Sequence, residues 1–246
     1  MKWLVIDTET GGLDPDRHPI FTVGIVVLDT QEGPLCGIEV PVLDPAALTV
    51  NRIDPSTHRV TALPPDDAVR AIEELIAPHF NPRRPVTIAG HNVAFDLAFL
   101  RRLCRLARRQ PRFRISECTV DLHSAWAVLA AARIAPRSTR ASLDSIAHAL
   151  GLCPEQPRHS ALADALTTAR CLHALVGLAS KRRFVFTAMR DWTALAASPS
   201  RPAPERLLWA GRAEGAAAAL QTLFGPSDET EAACAAARRI AMETAP

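Results

Sequence analysis

Two acidic side chains stand two positions apart at the end of the first apolar run of the sequence. The run covers Trp3 to Ile6 and leads directly into Asp7 and Glu9. Its composition predicts a buried strand, and side chains two positions apart on a strand share a face. Asp7 and Glu9 are therefore expected to point the same way, where their charges repel unless a cation neutralises them. Because hard divalent cations such as Mg²⁺ take oxygen ligands, the pair is half of a candidate metal site. The alternative is a strand that runs into an acidic, glycine-containing turn.

Two further acids lie near the starts of predicted helices. Asp96 lies in the first turn of a helix predicted from about residue 94 to 109, and Asp164 lies one turn into a helix predicted from 159 to about 178. A packed sheet could bring these helix starts to the acids of the first strand. Metal ions about 3.5–4 Å apart, held by such acids, would activate water and stabilise the leaving oxygen of a phosphodiester. His159, on the loop that enters its helix, is expected to serve as general base, because the pKa of histidine lies near neutrality.

The remaining elements predict an α/β fold with a mixed sheet. Residues 20–28 and 35–42 are β-rich runs joined by a Gly-Pro turn, so the first three strands are expected to form an antiparallel meander. Helices then alternate with short predicted strands at 86–89 and 115–120, and helices are expected to pack on both faces of the sheet. Predicted helix starts are Asp66, Asp121, and Ser142 or Asp144, with Gly151 ending the last of these helices.

Composition places the chain among ordinary globular proteins. Its 246 residues suit one full domain plus an extension, and 48% of them are hydrophobic while 22% are charged. No apolar run is expected to reach the roughly 20 residues of a membrane span, and a sequence that opens on a core strand leaves no room for a cleavable signal peptide. Six cysteines without a C-x-x-C pair argue against a zinc site and a disulfide framework, and indicate a cytoplasmic protein.

Three motifs resemble those of the DEDDh (DnaQ-like) 3′→5′ exonucleases of the ribonuclease H-like superfamily. They are DTETGGL at residues 7–13, HNVAFD at 91–96 and the His-x₄-Asp of HSALAD at 159–164. The order of the motifs and their spacing also resemble the family. The resemblance covers about residues 1–178, and it implies a ribonuclease H-like, mixed five-stranded sheet flanked by helices. Residues 179–246 would then be a helical C-terminal extension.

The resemblance implies a role for each catalytic residue. In the family, the residues that match Asp7, Glu9 and Asp164 ligate two Mg²⁺ or Mn²⁺ ions, and the match to Asp7 bridges them. The match to Asp96 completes the shell of the second ion, partly through water. The match to His159 deprotonates the attacking water, and the product is a nucleoside 5′-monophosphate.

The same motifs imply contacts with the substrate. Main-chain groups near Thr10 and Gly11 would receive the terminal 3′-hydroxyl, and Leu13 would wedge against the last base. Asn92 and Phe95 are the implied nucleotide contacts of the second motif.

Seven arginines form a cationic run without acids, directly after the second motif. A run of like charges is usually a solvated helix face, but beside a phosphodiesterase site the alternative is contact with phosphates. The seven are Arg101, Arg102, Arg105, Arg108, Arg109, Arg112 and Arg114.

The expected activity is removal of nucleotides from the 3′ end of DNA or RNA by a metal-dependent exonuclease without a membrane partner. One alternative keeps the fold but not the catalysis and leaves a nucleic-acid-binding module. Another is a proofreading subunit tethered to a polymerase by residues 179–246, which would otherwise form a homodimer or pack on the catalytic domain. The sequence does not distinguish DNA from RNA, single from double strands, or short from long substrates.

Overall fold

A computed structural model of the chain describes residues 1–46, 62–109, 111–131, 141–155, 160–224 and 227–244. Five strands lie in this part of the chain: β1 Lys2–Thr10, β2 Ile20–Asp29, β3 Gly33–Pro41, β4 Ile88–Gly90 and β5 Val120–Asp121. The helices there are α1 Pro65–Ile76, α2 Val93–Leu106, α3 Leu122–Ala131, α4 Leu143–Ala149, α5 Ala161–Ala197, α6 Ala203–Phe224 and α7 Asp228–Thr244.

The first strand of the chain lies at the centre of the sheet. The strand order is β3-β2-β1-β4-β5, in which β1 and β3 pair antiparallel with β2 while β4 runs parallel to both β1 and β5. The predicted α/β class, mixed five-stranded sheet and N-terminal meander are confirmed, as is the helical C-terminal extension. Because β1, β4 and β5 are parallel, their carboxyl ends meet at one edge of the sheet.

Helices cover both faces of β1. Leu4 and Ile6 are fully buried in a cluster with residues of α1 and α2, including Phe99 and Leu100. Side chains alternate along a strand, so residues at even positions of β1 face α1 and α2, and those at odd positions face the opposite side. The two sides of β1 can therefore receive different helices at its carboxyl end.

Several element boundaries differ from the sequence predictions. The helix predicted to be capped by Asp66 begins instead at Pro65, which suits proline because its missing N–H needs no partner in the first turn. The predicted strand at 115–120 is reduced to β5, with an isolated bridge between Val86 and Ile115 before it. The helix predicted to end near residue 178 continues through Gly177 to Ala197, and residues 178–197 contain neither glycine nor proline.

Two short-range predictions are confirmed at α4. The Ser142 hydroxyl accepts a hydrogen bond from the Ser145 N–H, which caps the helix. Gly151 follows its end with a φ of +71°, a left-handed conformation that favours glycine.

The chain divides into two compact units, and the division falls inside α5 between Leu175 and Val176. The first unit holds the whole sheet. In the second, Ala196, Ala210 and Ile240 belong to one small buried cluster. The boundary between residues 178 and 179 stays a prediction.

Among the described residues, one segment has the length and composition of a membrane span. It is Ala161–Ser180 of α5, and 50% of it is buried within the structure. A buried core helix has the same composition, so this segment is weak evidence for a membrane span. The sequence analysis expected no apolar run of this length. Asp164 and Arg170 interrupt the segment, but its mean hydropathy is still that of a possible span.

The first turn of α5 lies directly on the backbone of β2. A Cβ atom on Gly24 would lie 2.0 Å from the Ala161 carbonyl oxygen and 2.4 Å from the Leu162 nitrogen. Only a residue without a side chain allows this contact, because no Cβ atom comes this close to a backbone atom.

We expect Gly24→Ala to destabilise the protein by about 1–3 kcal/mol, the usual cost of inserting a methyl group into a packed site. Urea unfolding of the variant and the natural protein gives this free-energy difference. Gly177→Ala on α5 is the matched control, because a Cβ atom there meets nothing within 4 Å and alanine favours the helix. Equal stability of the Gly24 variant and the natural protein would contradict the contact.

Candidate active site

Three of the four predicted acids come together at the carboxyl end of β1. Asp7, Glu9 and Asp164 each offer a carboxylate oxygen, and these oxygens lie within 4.8 Å of one another. All three residues are half-buried. Oxygen ligands at this separation fit a hard divalent cation such as Mg²⁺ or Mn²⁺.

The alternation of β1 and the contact at Gly24 together explain the cluster. Asp7 and Glu9 are two positions apart and share the face of β1 that is opposite Leu4 and Ile6. Gly24 is the partner of Asp7 in the β1–β2 register, so the first turn of α5 lies beside Asp7. Asp164 is three residues after Ala161, about one turn into the helix, and reaches the same place.

Glu39 fastens the start of α5 to the sheet. It pairs with Gly24 in the β2–β3 register, so Asp7, Gly24 and Glu39 form one row across three strands. The Glu39 Oε1 atom accepts hydrogen bonds from the Ser160 hydroxyl at 3.0 Å and from the Leu162 N–H at 3.3 Å. The N–H groups of the first helical turn have no partner within the helix, so this carboxylate satisfies one of them.

Sequence reasoning missed both Gly24 and Glu39. Gly24 stands within an apolar strand, Glu39 is the one charged residue of β3, and neither belongs to a motif. Only the register of the first three strands could have indicated them, because it pairs Gly24 with Asp7 and Glu39 with Gly24.

Asp96 is held from the other face of β1. Thr8 lies between Asp7 and Glu9 and therefore points to the α2 side, where its hydroxyl donates a 2.8 Å hydrogen bond to the Asp96 Oδ1 atom. Asp96 is only 3% exposed. Burial raises the pKa of Asp96 to about 7; hydrogen bonds from Thr8 oppose this rise, and the nearby charge of Glu9 adds to it.

Asp121 joins the starts of two helices next to this site. Its Oδ2 atom accepts from the Val93 N–H at 3.0 Å, and its Oδ1 atom accepts from the Ser124 N–H at 2.7 Å. Partial burial would raise the pKa of Asp121, but hydrogen bonds from the main-chain N–H groups of Ser124, Val93 and Asn92 outweigh it and hold the pKa below its usual value. Asp121 therefore fixes the start of α2, the helix that carries Asp96.

The predicted general base lies outside the described residues. His159 immediately precedes Ser160, whose hydroxyl is bound to Glu39. The role of His159 stays a prediction. His91 of the second motif is bonded through Nε2 to the Ala141 carbonyl oxygen at 2.8 Å, which is the structural role that a histidine at a strand end commonly has.

The predicted contacts with the 3′ end lie on a compact loop after β1. The Thr10 hydroxyl donates to the Gly12 carbonyl oxygen at 2.8 Å, and the Gly11 N–H donates to the Pro19 carbonyl oxygen at 2.9 Å. Both groups therefore stabilise the turn itself. Leu13 is 84% exposed, so its side chain is available to a ligand.

Arg102 holds this loop in place. Its guanidinium makes a two-pronged ion pair with Asp44, with nitrogen–oxygen distances of 2.9 and 3.1 Å, and also donates to the Pro15 carbonyl oxygen at 3.0 Å. Asp44 is fully buried. A paired buried charge of this kind is costly to break, so the loop that carries Leu13 is anchored to α2.

The predicted contacts of the second motif lie at the start of α2. Asn92 is exposed and adopts a left-handed conformation with φ of 62° and ψ of 47°; its side chain does not cap the helix. Phe95 is half-buried, and its ring centroid lies 5.0 Å from that of Phe99. Asn92 is therefore open to a ligand, whereas Phe95 is largely part of the core.

A family model described as an exonuclease matches residues 4–172 of the chain. The matched region contains all the acids described above. None of the curated proteins compared with the chain matches it.

Solved structures with the same fold include two kinds of exonuclease. The nuclease domain of 3′hExo, a DEDDh family member bound to rAMP, has a TM-score of 0.56 and 14% identity, covering 72% of this chain and 92% of that one. Exonuclease I of E. coli in complex with a dT13 oligonucleotide has a TM-score of 0.51 and 17% identity, covering 76% of this chain and 43% of that one. Exonuclease I of Methylocaldum szegediense has a TM-score of 0.52 and 18% identity, covering 77% and 45%. The chain thus spans less than half of either Exonuclease I.

We expect Glu39→Ala to weaken metal binding by a factor of about 3 to 10, because the loss of a helix cap of about 1 kcal/mol loosens the turn that carries Asp164. Glu39→Gln keeps an oxygen acceptor at the same place and should bind Mn²⁺ nearly as well as the natural protein. Calorimetric titration with Mn²⁺ measures both affinities. An unchanged affinity in the alanine variant would rule out this positioning role.

We expect Asp96→Asn to stabilise the metal-free protein at alkaline pH. Because the pKa of Asp96 is raised from 3.8 to about 7, the folded protein binds more protons than the unfolded chain between these values, and this group costs stability as pH rises. Asparagine carries no charge and still accepts a hydrogen bond from Thr8. The free energy of unfolding of the variant should therefore exceed that of the natural protein by up to about 4 kcal/mol at pH 8, and the difference should shrink towards pH 4. Urea unfolding in EDTA at several pH values measures it, and a pH-independent difference would contradict the assigned pKa.

Proposed function

The chain belongs to the DEDDh family of 3′→5′ exonucleases, and we propose that it removes nucleotides one at a time from the 3′ end of DNA or RNA, releasing nucleoside 5′-monophosphates. The observation that carries this proposal is the cluster of Asp7, Glu9 and Asp164. Their oxygens converge at the carboxyl end of the central strand, within the region that matches the exonuclease model. This cluster has the composition of a metal site and lies where the loops after β1 and the start of α2 can reach a substrate.

We propose that the acids hold two Mg²⁺ or Mn²⁺ ions. Such ions supply activation of water and stabilisation of the charge on the phosphodiester. Asp7, Glu9 and Asp164 would ligate these ions, and Asp7 is the acid we assign to both. Asp96 would complete the shell of the second ion, partly through water. Its burial favours the protonated form, so a neighbouring cation would favour the carboxylate that it needs for this role.

We assign the general base to His159. An imidazole with a pKa near neutrality can accept a proton from the attacking water and later release it to solvent. Support for its position comes from its neighbour Ser160, which is bonded to Glu39 at the start of α5. The same anchor would position both His159 and Asp164.

The loop after β1 and the start of α2 would bind the terminal nucleotide. Leu13 is exposed on a loop anchored by Arg102, so it can wedge against the last base without further ordering. The turn at Thr10 and Gly11 would meet the 3′-hydroxyl, and Asn92 would contact the nucleotide from the opposite side, with Phe95 beneath it.

A catalytically silent nucleic-acid-binding module is the alternative within the same fold. The carboxylates required for metal binding are present, which favours catalysis. The polymerase partner or homodimer through residues 179–246, the absence of a membrane partner, and the cytoplasmic location stay predictions.

We expect a ladder of products one nucleotide apart when the protein acts on 5′-labelled DNA or RNA strands of one sequence with Mg²⁺ or Mn²⁺. EDTA should abolish the ladder. Asp7→Asn should do the same, because it removes the charge assigned to both ions.

His159→Ala should lower the rate by a factor of about 10² to 10⁴, the usual contribution of a general base, and leave the affinity for Mn²⁺ within twofold. Gel analysis of time courses measures the rates.

The preferred strand in this experiment identifies the substrate class. Shortening from the 5′ end of a 3′-labelled strand would contradict the assigned direction. The absence of shortening on either strand with either metal would favour the binding module.

A further inference from the structure

An open groove lined by five arginines runs along the later part of α2. Its volume is about 880 Å³, and we call it the arginine groove. Its lining residues are Arg101, Cys104, Arg105, Arg108, Arg109, Pro111, Phe113, Arg114 and Ile115. No carboxylate is among these described lining residues, and the apolar ones provide contacts for uncharged groups.

Most of this positive charge is not neutralised within the described part of the chain. The side chains of Arg101 and Arg108 are exposed and make no hydrogen bond or ion pair with a described residue. Arg114 donates to the Arg83 carbonyl oxygen at 2.8 Å, which leaves its charge uncompensated. Arg105 pairs with Asp16, but the two side chains are 57% and 81% exposed, and such surface pairs are weak.

Arg109 alone is committed to the fold. Its guanidinium lies 2.7 Å from the buried carboxylate of Glu73 and 3.1 Å from Asp66. We therefore assign the other four arginines of the groove to ligand binding, whereas Arg109 has a structural role in its wall.

The groove lies beside the loop after β1 that carries Leu13, because Arg105, which lines the groove, pairs with Asp16 of that loop at 2.8 Å. Residues 94, 98, 101 and 105 of α2 recur at helical spacing, so they line one side of the helix, and Arg108 follows its end. The two alanines of this stripe lie in the first half of α2, and the arginines follow. From Val93 to Leu106 the helix rises about 20 Å, the length of about six stacked nucleotides at 3.4 Å each.

We propose that the arginine groove binds the phosphodiester backbone of the nucleic-acid strand about three to six nucleotides away from the 3′ end. The proposal rests on the exonuclease function and names its substrate as an oligonucleotide or longer chain, not a dinucleotide. Guanidinium groups match phosphates in charge and geometry. Three uncompensated cations and the weakly paired Arg105 line one groove, which suits a polyanion that leaves the active site along α2.

The test removes two arginines that have no partner among the described residues, Arg101→Ala with Arg108→Ala, in the full-length protein. A control variant, Arg190→Ala with Arg239→Ala, removes the same charge from exposed positions outside the groove. Binding of a fluorescent 12-nucleotide strand is measured in EDTA over a range of salt concentrations. Cleavage of the 12-mer and of a trinucleotide is measured with Mg²⁺.

For the groove variant, the affinity for the 12-mer should fall several-fold. The slope of log K against log salt should fall by about 1.4, the value for two phosphate contacts on a single strand. KM for the 12-mer should rise while kcat stays constant, and trinucleotide cleavage should stay within twofold of the natural protein. The control variant should match the natural protein in every measurement.

Three results would overturn the proposal. They are an unchanged salt slope, an equal loss in the control variant, or an equal loss on the trinucleotide and the 12-mer. If the protein cleaves neither substrate, the proposed function fails, and the binding measurement in EDTA still decides whether the groove holds a strand.

Discussion

The contact between the first turn of α5 and the bare backbone of Gly24 is the constraint on which the candidate active site depends. Asp7 and Glu9 are fixed by β1, but Asp164 comes from a distant helix, and three carboxylates within 4.8 Å repel one another. Packing must hold them against that repulsion. Gly24 lets the helix approach, and Glu39 bonds its first turn from the next strand. Glu39, an acid on β3, therefore serves the geometry of the cluster from outside it.

The alternation of β1 divides the acids between the two faces of the sheet. Asp7 and Glu9 point towards α5, whereas Thr8 points towards α2 and holds Asp96. Asp96 is consequently buried among apolar side chains instead of sharing the solvated cluster, and this burial is what raises its pKa. A cation at the cluster would act on Asp96 as well, because the Glu9 charge already does. Metal binding and the protonation of Asp96 are thus expected to be coupled.

Local patterns predicted the parts of the site that depend on one element. The two-residue spacing of Asp7 and Glu9 and the order of the motifs placed these acids at element ends, and the apolar runs gave the sheet. The contribution of Gly24 and Glu39 depends on the register between three strands, which no single element specifies. The hydrogen bond from Thr8 to Asp96 likewise needs α2 packed on the sheet. Helix ends were predicted less well, since α5 continues to Ala197 without a signal that stops it.

The arginine run shows how helical periodicity gives one residue type two functions. Arg102 lies on α2 and Arg109 lies three residues after its end, and both reach acids that lie far away in sequence, Asp44 and Glu73. Sequence inspection found no acid within the run because its partners come from other elements. Arg101 and Arg108 are exposed and meet none of these acids. The ion pairs with Asp44 and Glu73 explain only the arginines that face the protein interior. A nucleic-acid strand that leaves the active site along α2 would explain the exposed ones.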